Sequence, residues 1–192
     1  MMTQRLRGRP ALILDRDGVV NHDTGFLHRI EACRFIAGIF AVARMFAARG
    51  FAIVIATNQS GIGRGLFGED DYAALMRWMT GEFEREGAPL AAVYHCPFHP
   101  TAGVGQYRQD SAWRKPHPGM LLQAAADLGL DLARSWCVGD RMSDIEAGRA
   151  AAVGTLVLYD AAAASLARVG DYWIVPDLAA VASLLTVEAA SG

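Results

Sequence analysis

The sequence is poor in cysteine and contains no long apolar run. Its cysteines, Cys33, Cys96 and Cys137, are odd in number and form no CxxC spacing, which argues against a disulfide framework or a conventional zinc ribbon. No apolar stretch reaches membrane-spanning length, and the arginine-rich N-terminus lacks the apolar core of a signal peptide. These absences predict a cytoplasmic protein without a membrane partner.

An excess of positive charge is also missing. The chain carries 18 Lys and Arg against 20 Asp and Glu, a net charge of −2, so it lacks the basic field of proteins that wrap nucleic acid. A hydrophobic content of 53% is ordinary for a globular domain of 192 residues. We therefore expect a monomer with one domain over residues 1–192, a flexible tail at residues 1–10, and no nucleic-acid partner.

Apolar runs of strand length alternate with stretches of helical periodicity. This alternation predicts right-handed βαβ crossovers and a Rossmann-like, three-layer α/β fold with a central parallel sheet. Residues 18–38 suffice for a small flap, residues 97–113 are predicted to be a long loop, and no segment fits a large cap domain. Strands are predicted near residues 11–15, 51–56, 91–95, 135–139 and 154–158, with a short edge strand at 173–175.

The strongest chemical signal is the string Asp15-Arg16-Asp17-Gly18, which follows the apolar run 11–14. Its two carboxylates lie where a buried strand meets solvent, which is where α/β enzymes keep their active sites. Acids at alternate positions, followed by a glycine that tolerates positive φ, are typical of a metal-dependent site.

Three further segments contribute polar residues in a fixed order: Thr57-Asn58-Gln59-Ser60, then Arg114-Lys115-Pro116, then Asp140-Arg141 with Asp144. Together with the acid pair they resemble the haloacid-dehalogenase-like (HAD) superfamily of phosphoryl-transfer enzymes. Within it, the longer strings around Asp15, Thr57 and Lys115 resemble the D-glycero-D-manno-heptose 1,7-bisphosphate phosphatases and the similar histidinol-phosphate phosphatases. The resemblance runs from about Leu12 to Tyr159.

The resemblance implies a Mg²⁺-dependent phosphatase, a phosphoric monoester hydrolase, that works through an aspartyl phosphate. Asp15 is the expected nucleophile, and Asp17 the residue that protonates the leaving alcohol and then deprotonates water. Expected Mg²⁺ ligands are the carboxylates of Asp15 and Asp140 and the backbone carbonyl of Asp17. Thr57 and Lys115 are expected to stabilise the phosphoryl oxygens.

Other residues are given supporting or substrate-binding roles by the same resemblance. Asp144 is expected either to hold Lys115 or to contact a metal-bound water. Arg114 suits a bidentate contact with a second phosphate or carboxylate, and surface packing on Trp113 is its alternative. Arg64 either contacts substrate or places a charge at the start of a helix. The expected substrate contacts are Asp23, Thr24, Gly25, Phe26, Asn58, Gln59, Ser60, Arg114 and Arg141.

One part of the family pattern is lost in this chain. The family usually ties its long loop with zinc through Cys-x-His and Cys-x-Cys, whereas this chain has Cys96-Pro97-Phe98-His99 and then Ser111-Ala112-Trp113. Only Cys96 occupies an expected ligand position, and structural zinc needs four ligands. We therefore predict no zinc, with the alternative of an improvised site. That site would use His95, Cys96 and His99, whereas the zinc-free loop would be anchored by Phe98, Tyr107 and Trp113.

The expected substrate is a small phosphosugar. Heptose 1,7-bisphosphate, losing its 7-phosphate, comes first because Phe26-Leu27-His28 and Phe35-Ile36 follow the heptose branch of the family. Histidinol phosphate is the alternative. A nucleic-acid 3′-phosphatase lacks its usual basic groove here, and a catalytically silent phosphosugar-binding protein is suggested only by the lost zinc ligands.

Overall fold

A computed structural model describes residues 8–190 of the chain, and within them seven strands form one sheet. The strands are β1 (Ala11–Leu14), β2 (Ala52–Asn58), β3 (Leu90–Cys96), β4 (Trp136–Gly139), β5 (Thr155–Tyr159), β6 (Ala167–Val169) and β7 (Tyr172–Val175). Their order is β3-β2-β1-β4-β5-β7-β6, and every neighbouring pair is parallel except β6 with β7. The predicted Rossmann-like sheet is confirmed.

Helices cover both faces of this sheet. They are α1 (Ile39–Ala48), α2 (Ser60–Gly63), α3 (Glu69–Arg85), α4 (Gly119–Leu128), α5 (Met142–Ala150) and α6 (Leu178–Ala190). The apolar stripe of α1 recurs at helical spacing and is buried at Ile39, Val42, Ala43 and Phe46. No helix in residues 8–190 is long and apolar enough to cross a membrane.

The side chains of β1 point alternately to the two faces of the sheet, which explains why helices pack on both faces in a three-layer arrangement. Leu12 and Leu14 pack in one buried cluster with residues of α1, α3 and α6, whereas Ala11 and Ile13 pack in a second cluster with residues of α4 and α5. Successive side chains of a strand point to opposite faces, so a strand buried on both faces is apolar throughout. Consequently the first polar residue after β1, Asp15, emerges at the sheet's carboxyl edge.

The sequence-based description needs correction at two elements. The predicted edge strand at 173–175 is β7, which lies inside the sheet because the unforeseen antiparallel strand β6 covers its outer side. The loop 97–113 contains one turn of 3-10 helix at Gly105–Tyr107. Short segments such as β6 carry too little periodicity to be recognised before their pairing partner is known.

The flap and the N-terminal segment are both tied to the domain. Isolated bridges join Asn21 to Asp17 and to Phe35, so residues 18–38 fold back beside the end of β1. Most of the predicted tail, residues 1–7, lies outside the described residues. Gly8 and Arg9 are hydrogen-bonded, with the Gly8 N–H donating to the Gly129 carbonyl at 2.7 Å and Arg9 Nε to the Gly50 carbonyl at 2.6 Å.

Candidate active site

Adjacent strands deliver the predicted catalytic residues to one edge of the sheet. Asp15 directly follows β1, Thr57 lies near the end of β2, and Asp140 directly follows β4. Since β1 lies between β2 and β4, the sheet order alone brings these three residues together. Lys115 reaches the same place from the segment that precedes α4.

Lys115 is the buried cation of the site. Its Nζ lies 2.9 Å from Asp15 Oδ1 and 2.5 Å from Asp144 Oδ1, and it donates to the Ala56 carbonyl at 2.8 Å. Asn58 fixes the lysine backbone, because its side chain donates to the Lys115 carbonyl at 3.0 Å and accepts from the Lys115 N–H at 3.1 Å. Of the two roles predicted for Asp144, contact with Lys115 is the one seen.

Burial and mutual repulsion shape the proton affinities of the acids. Burial raises the pKa of Asp15 to about 7, and the attraction of Lys115 opposes that rise. Burial also raises the pKa of Asp140 to about 6, with the neighbouring Asp144 adding to the effect. For Lys115 burial acts to lower the pKa, but the contacts with Asp15 and Asp144 raise it above its ordinary value. The lysine therefore remains positively charged at neutral pH.

Asp15, Asp140 and Asp144 form a carboxylate cluster whose ligand atoms all lie within 4.8 Å of one another. Asp140 Oδ1 is buried and has no hydrogen-bond partner among the described residues, so its lone pairs are available to a cation. Gly18, with φ +91°, makes room for this carboxylate, because a Cβ there would lie 2.2 Å from Asp140 Oδ2. Hard oxygen donors of this kind fit Mg²⁺.

Asp15 keeps one carboxylate oxygen free within the part of the chain described. Both of its close contacts, the Lys115 ammonium at 2.9 Å and the backbone N–H of Arg16 at 2.7 Å, are made to Oδ1. The other oxygen, Oδ2, has no hydrogen bond to a described residue. A carboxylate fixed through one oxygen leaves the second for a bond to phosphorus or a metal.

Asp17 is held by donors from several directions. Arg16 Nη2 lies 2.8 Å from Asp17 Oδ2 and also donates to the Leu27 carbonyl at 3.0 Å. Asn21 donates to Oδ1 and Gln59 to Oδ2, each at 2.9 Å. The prediction for Asp17 as a metal ligand concerned its backbone carbonyl and stays a prediction.

Thr57 is prepared to donate a hydrogen bond. Its hydroxyl is buried and accepts from Gln59 Nε2 at 2.9 Å, which leaves the hydroxyl proton for another acceptor. Gln59 therefore joins Thr57 to Asp17, since the same amide nitrogen serves both side chains.

A cleft of about 480 Å³ lies over these residues. Asp140 belongs to the carboxylate cluster at the cleft and is not among the lining residues, and Thr24 does not line the cleft either. The other predicted site residues do line it, and they are Asp15, Asp17, Asp23, Gly25, Phe26, Thr57, Asn58, Gln59, Ser60, Arg114, Lys115, Arg141 and Asp144.

The two predicted substrate-binding arginines have different partners. Arg141 is largely exposed, and its Nη2 donates to Asp23 Oδ2 in the flap at 2.9 Å. Arg114 is half-buried and donates to the carbonyl of Phe98 at 3.2 Å. Trp113, the alternative packing partner suggested for Arg114, instead meets Tyr94 edge to face at 6.2 Å between ring centroids.

The loop 97–113 is anchored by aromatic and backbone contacts. Phe98 and Tyr107 pack with their ring centroids 5.9 Å apart, while the Val104 N–H donates to the Gly63 carbonyl at 2.8 Å. Gly63 is required at this contact because a Cβ there would lie 2.3 Å from the Pro97 carbonyl oxygen. Phe98 and Tyr107 thus contact each other as expected, and Trp113 does not join them. The absence of zinc remains a prediction.

Several residues at the site were not assigned to it from the sequence. Arg16 is among the largest fully buried side chains of the described residues, although an arginine between two aspartates resembles a solvated charge in sequence. Asn21 was missed because its contact with Asp17 depends on the fold of the flap. Ser143 and His99 also line the cleft, together with Arg64, for which two roles were open.

A family model described as HAD-hydrolase-like matches residues 112–181. D-glycero-alpha-D-manno-heptose-1,7-bisphosphate 7-phosphatase of Burkholderia mallei is 51% identical over 77% of this chain and 78% of its own length. D-glycero-beta-D-manno-heptose-1,7-bisphosphate 7-phosphatase of Yersinia pestis is 45% identical over 82% of each chain.

A solved structure also matches. The D,D-heptose 1,7-bisphosphate phosphatase of B. bronchiseptica, crystallised with magnesium and phosphate, has a TM-score of 0.76 at 31% identity. The match covers 93% of this chain and 99% of that one.

Proposed function

Because the chain belongs to the HAD-like family of heptose 1,7-bisphosphate 7-phosphatases, we propose that it removes the 7-phosphate of D-glycero-D-manno-heptose 1,7-bisphosphate. The observation that carries the chemistry is the buried Lys115 between Asp15 and Asp144, beside a carboxylate cluster suited to Mg²⁺. The similarity to relatives that bear this activity carries the choice of sugar.

Charge neutralisation is the first requirement of the reaction. A carboxylate and a phosphate dianion about 4 Å apart repel by roughly 8 kcal/mol at an effective dielectric near 20. Lys115 offsets part of this repulsion from its position against Asp15. Bound Mg²⁺, held by Asp15, Asp140 and the Asp17 carbonyl, would supply the remaining positive charge as a Lewis acid.

Asp15 then acts as the nucleophile. A carboxylate oxygen of Asp15 forms a bond to phosphorus while the bond from phosphorus to the C7 oxygen breaks, and Asp17 gives its proton to that oxygen. Arg16, Asn21 and Gln59 fix the Asp17 carboxyl during this step. Thr57 donates its hydroxyl proton as a hydrogen bond to a phosphoryl oxygen, and the positive charge of Lys115 stabilises the same group.

Water completes the cycle. Asp17, now a carboxylate, takes a proton from the water whose oxygen attacks phosphorus, which releases inorganic phosphate and restores Asp15. Every residue in this scheme lies at one edge of a single sheet or in the segments beside it, which supports an enzyme with one domain. The three cysteines are buried free thiols, which supports the proposed location in the reducing cytoplasm.

A substrate panel tests the proposal. The kcat/KM values of both anomers of heptose 1,7-bisphosphate, of histidinol phosphate and of a 3′-phosphorylated oligonucleotide are compared in the presence of Mg²⁺. We expect a heptose anomer to have the highest value, because specificity is differential transition-state binding. A best substrate outside the sugars would refute the proposed function.

A further inference from the structure

Two of the four cationic side chains that line the cleft lack a carboxylate partner. Lys115 is bound to Asp15 and Asp144, and Arg141 to Asp23. Among the described residues, neither Arg64 nor Arg114 forms an ion pair, although both line the same cleft. An unpaired guanidinium in a half-buried cleft favours an anionic ligand that supplies the missing partner.

Arg64 is held in place by a ring contact, but one of its buried donors has no hydrogen-bond partner among the described residues. Its guanidinium lies over the Phe26 ring, with Cζ 5.4 Å from the ring centroid, and this contact joins the residue after α2 to the flap. Its Nε is buried and has no hydrogen-bond partner among residues 8–190. A buried charged donor without a partner is costly, so this nitrogen indicates a ligand that accepts from it.

The backbone around Phe26 supports the same interpretation. Phe26 has φ +53°, a left-handed conformation that costs a residue with a side chain on the order of 1–3 kcal/mol. Gly61 leaves space for its ring, since a Cβ at Gly61 would lie 3.0 Å from Phe26 Cδ1. Strain of this kind is retained at binding sites, and here it places the ring under Arg64.

His99 adds a neutral donor to this wall of the cleft. Its Nδ1 accepts from the backbone N–H of Ala102 at 3.0 Å, so the ring proton belongs on Nε2. Burial lowers the pKa of His99, and the charges of Arg114 and Arg64 lower it further. The imidazole is therefore uncharged at neutral pH and offers Nε2–H.

We propose that Arg64 and His99 join Arg114 in binding the second phosphate of a bisphosphorylated sugar, the phosphate that is not transferred. The inference rests on the proposed function, because it assigns residues to the remote end of that substrate. Arg114 was expected at such a group from the sequence. Arg64 and His99 extend the assignment to α2 and to the loop 97–113, whose predicted lack of zinc leaves His99 free for substrate.

The test is the preference for a bisphosphate over the matching monophosphate. The kcat/KM values for heptose 1,7-bisphosphate and heptose 7-phosphate are measured for wild type, Arg64→Met and Arg64→Lys. We expect Arg64→Met to lower the ratio of the two values about tenfold to a hundredfold, as for loss of a charge-assisted hydrogen bond. Arg64→Lys keeps the charge and loses Nε, so its ratio should fall less.

Histidine variants separate binding from loop structure. His99→Asn retains an acceptor near the position of Nδ1 and removes Nε2–H, whereas His99→Gln retains a donor near Nε2. The ratio should therefore fall in His99→Asn more than in His99→Gln. Arg168→Met is the matched control, since Arg168 lies 5.4 Å over Trp173 in a similar cation–π contact on β6, outside the cleft.

The outcomes for the two proposals are distinguishable. An Arg64→Met enzyme whose ratio of bisphosphate to monophosphate kcat/KM equals that of wild type would overturn the inference. A wild type without preference for the bisphosphate would overturn it too, even if the 7-phosphate is released. A wild type that hydrolyses another bisphosphorylated sugar in place of heptose would refute the proposed function, and the same ratio measured on that sugar then decides the inference.

Discussion

At the scale of single residues, the site depends on Lys115. One ammonium group contacts two carboxylates and a backbone carbonyl, so three chain segments are tied to it. The sequence identifies Asp15, Thr57 and Lys115 because each follows or accompanies a recognisable apolar strand or family motif. The sequence does not identify Arg16, because its burial depends on contacts with Leu27 in the flap and with Met76 on α3.

Removal of either acid of the pair tests the chemistry directly. Asp15→Asn replaces the nucleophile with a neutral amide, and Asp17→Asn removes the group that exchanges the proton. We expect kcat to fall by about a thousandfold or more in each variant, as for loss of a nucleophile or acid in other enzymes. Steady-state phosphate release with circular dichroism as the folding control measures this, and unchanged turnover in a folded variant contradicts the assignment.

The raised pKa values of Asp15 and Asp140 predict how stability depends on pH. Both folded-state values, about 7 and about 6, lie above the ordinary value of 3.8, so the metal-free folded chain binds more protons than the unfolded chain. Its free energy of unfolding should fall by about 1–3 kcal/mol between pH 5 and pH 7.5. Urea unfolding in EDTA at the two pH values measures this.

Magnesium and an Asp15 variant provide the controls for that measurement. Mg²⁺ binds the ionised carboxylates, so it should restore stability at the higher pH more than at the lower. Asp15→Asn cannot titrate, and its stability should change less with pH. An equal slope in wild type and variant would contradict the role given to Asp15.

At the scale of elements, the contact between α2 and the loop 97–113 holds the substrate side of the cleft. The four-residue helix α2 was not predicted, because a segment this short has no helical period to recognise. The longer helices α1, α3 and α4 lie in the stretches whose apolar residues recur at helical spacing. Packing of the loop on Gly63 depends on tertiary contact and has no signature in the sequence.

A pair of glycine substitutions tests this contact. Gly63→Ala places a Cβ 2.3 Å from the Pro97 carbonyl oxygen and 2.9 Å from Tyr107 Cβ, so the loop must move. We expect a loss of about 1–3 kcal/mol in the free energy of unfolding, as for other overpacked sites. Reduced kcat/KM should accompany the loss, because Arg114 and Lys115 follow the displaced loop.

Gly81→Ala is the matched control for Gly63→Ala. Gly81 lies inside α3, and a Cβ there would meet nothing within 4 Å. Alanine should raise the free energy of unfolding by about 0.5–1 kcal/mol, since glycine is the poorer helix former. Denaturant unfolding of both variants measures the difference, and two equal changes would argue against the close approach at Gly63.

At the scale of the whole molecule, one sheet brings the predicted catalytic residues together. The flap and the loop 97–113 complete the cleft through specific contacts. The parallel central sheet could be predicted from the alternation of strands and helices, whereas its strand order is known from the structure. The antiparallel strand β6 could not be predicted, because its three exposed residues show no alternation.

Metal removal tests how the domain is stabilised. We expect EDTA to abolish phosphatase activity and added Mg²⁺ alone to restore it, because the carboxylate cluster provides hard oxygen ligands. A zinc-selective chelator should leave both activity and the melting temperature unchanged while Mg²⁺ is present. Calorimetry with elemental analysis of the purified protein measures this, and stoichiometric zinc would contradict anchoring of the loop by Phe98 and Tyr107.

The buried guanidinium of Arg16 has a consequence for local opening of the domain. It binds the carboxylate of Asp17 and the carbonyl of Leu27 at the same time, and a fluctuation that lifts the flap would remove that carbonyl together with the Asn21 donor to Asp17. We therefore expect the amide hydrogens of the flap and of Asp17 to exchange with solvent together, as one cooperative unit. We likewise expect a nascent chain to release phosphate only after residues 18–38 have folded back beside the end of β1.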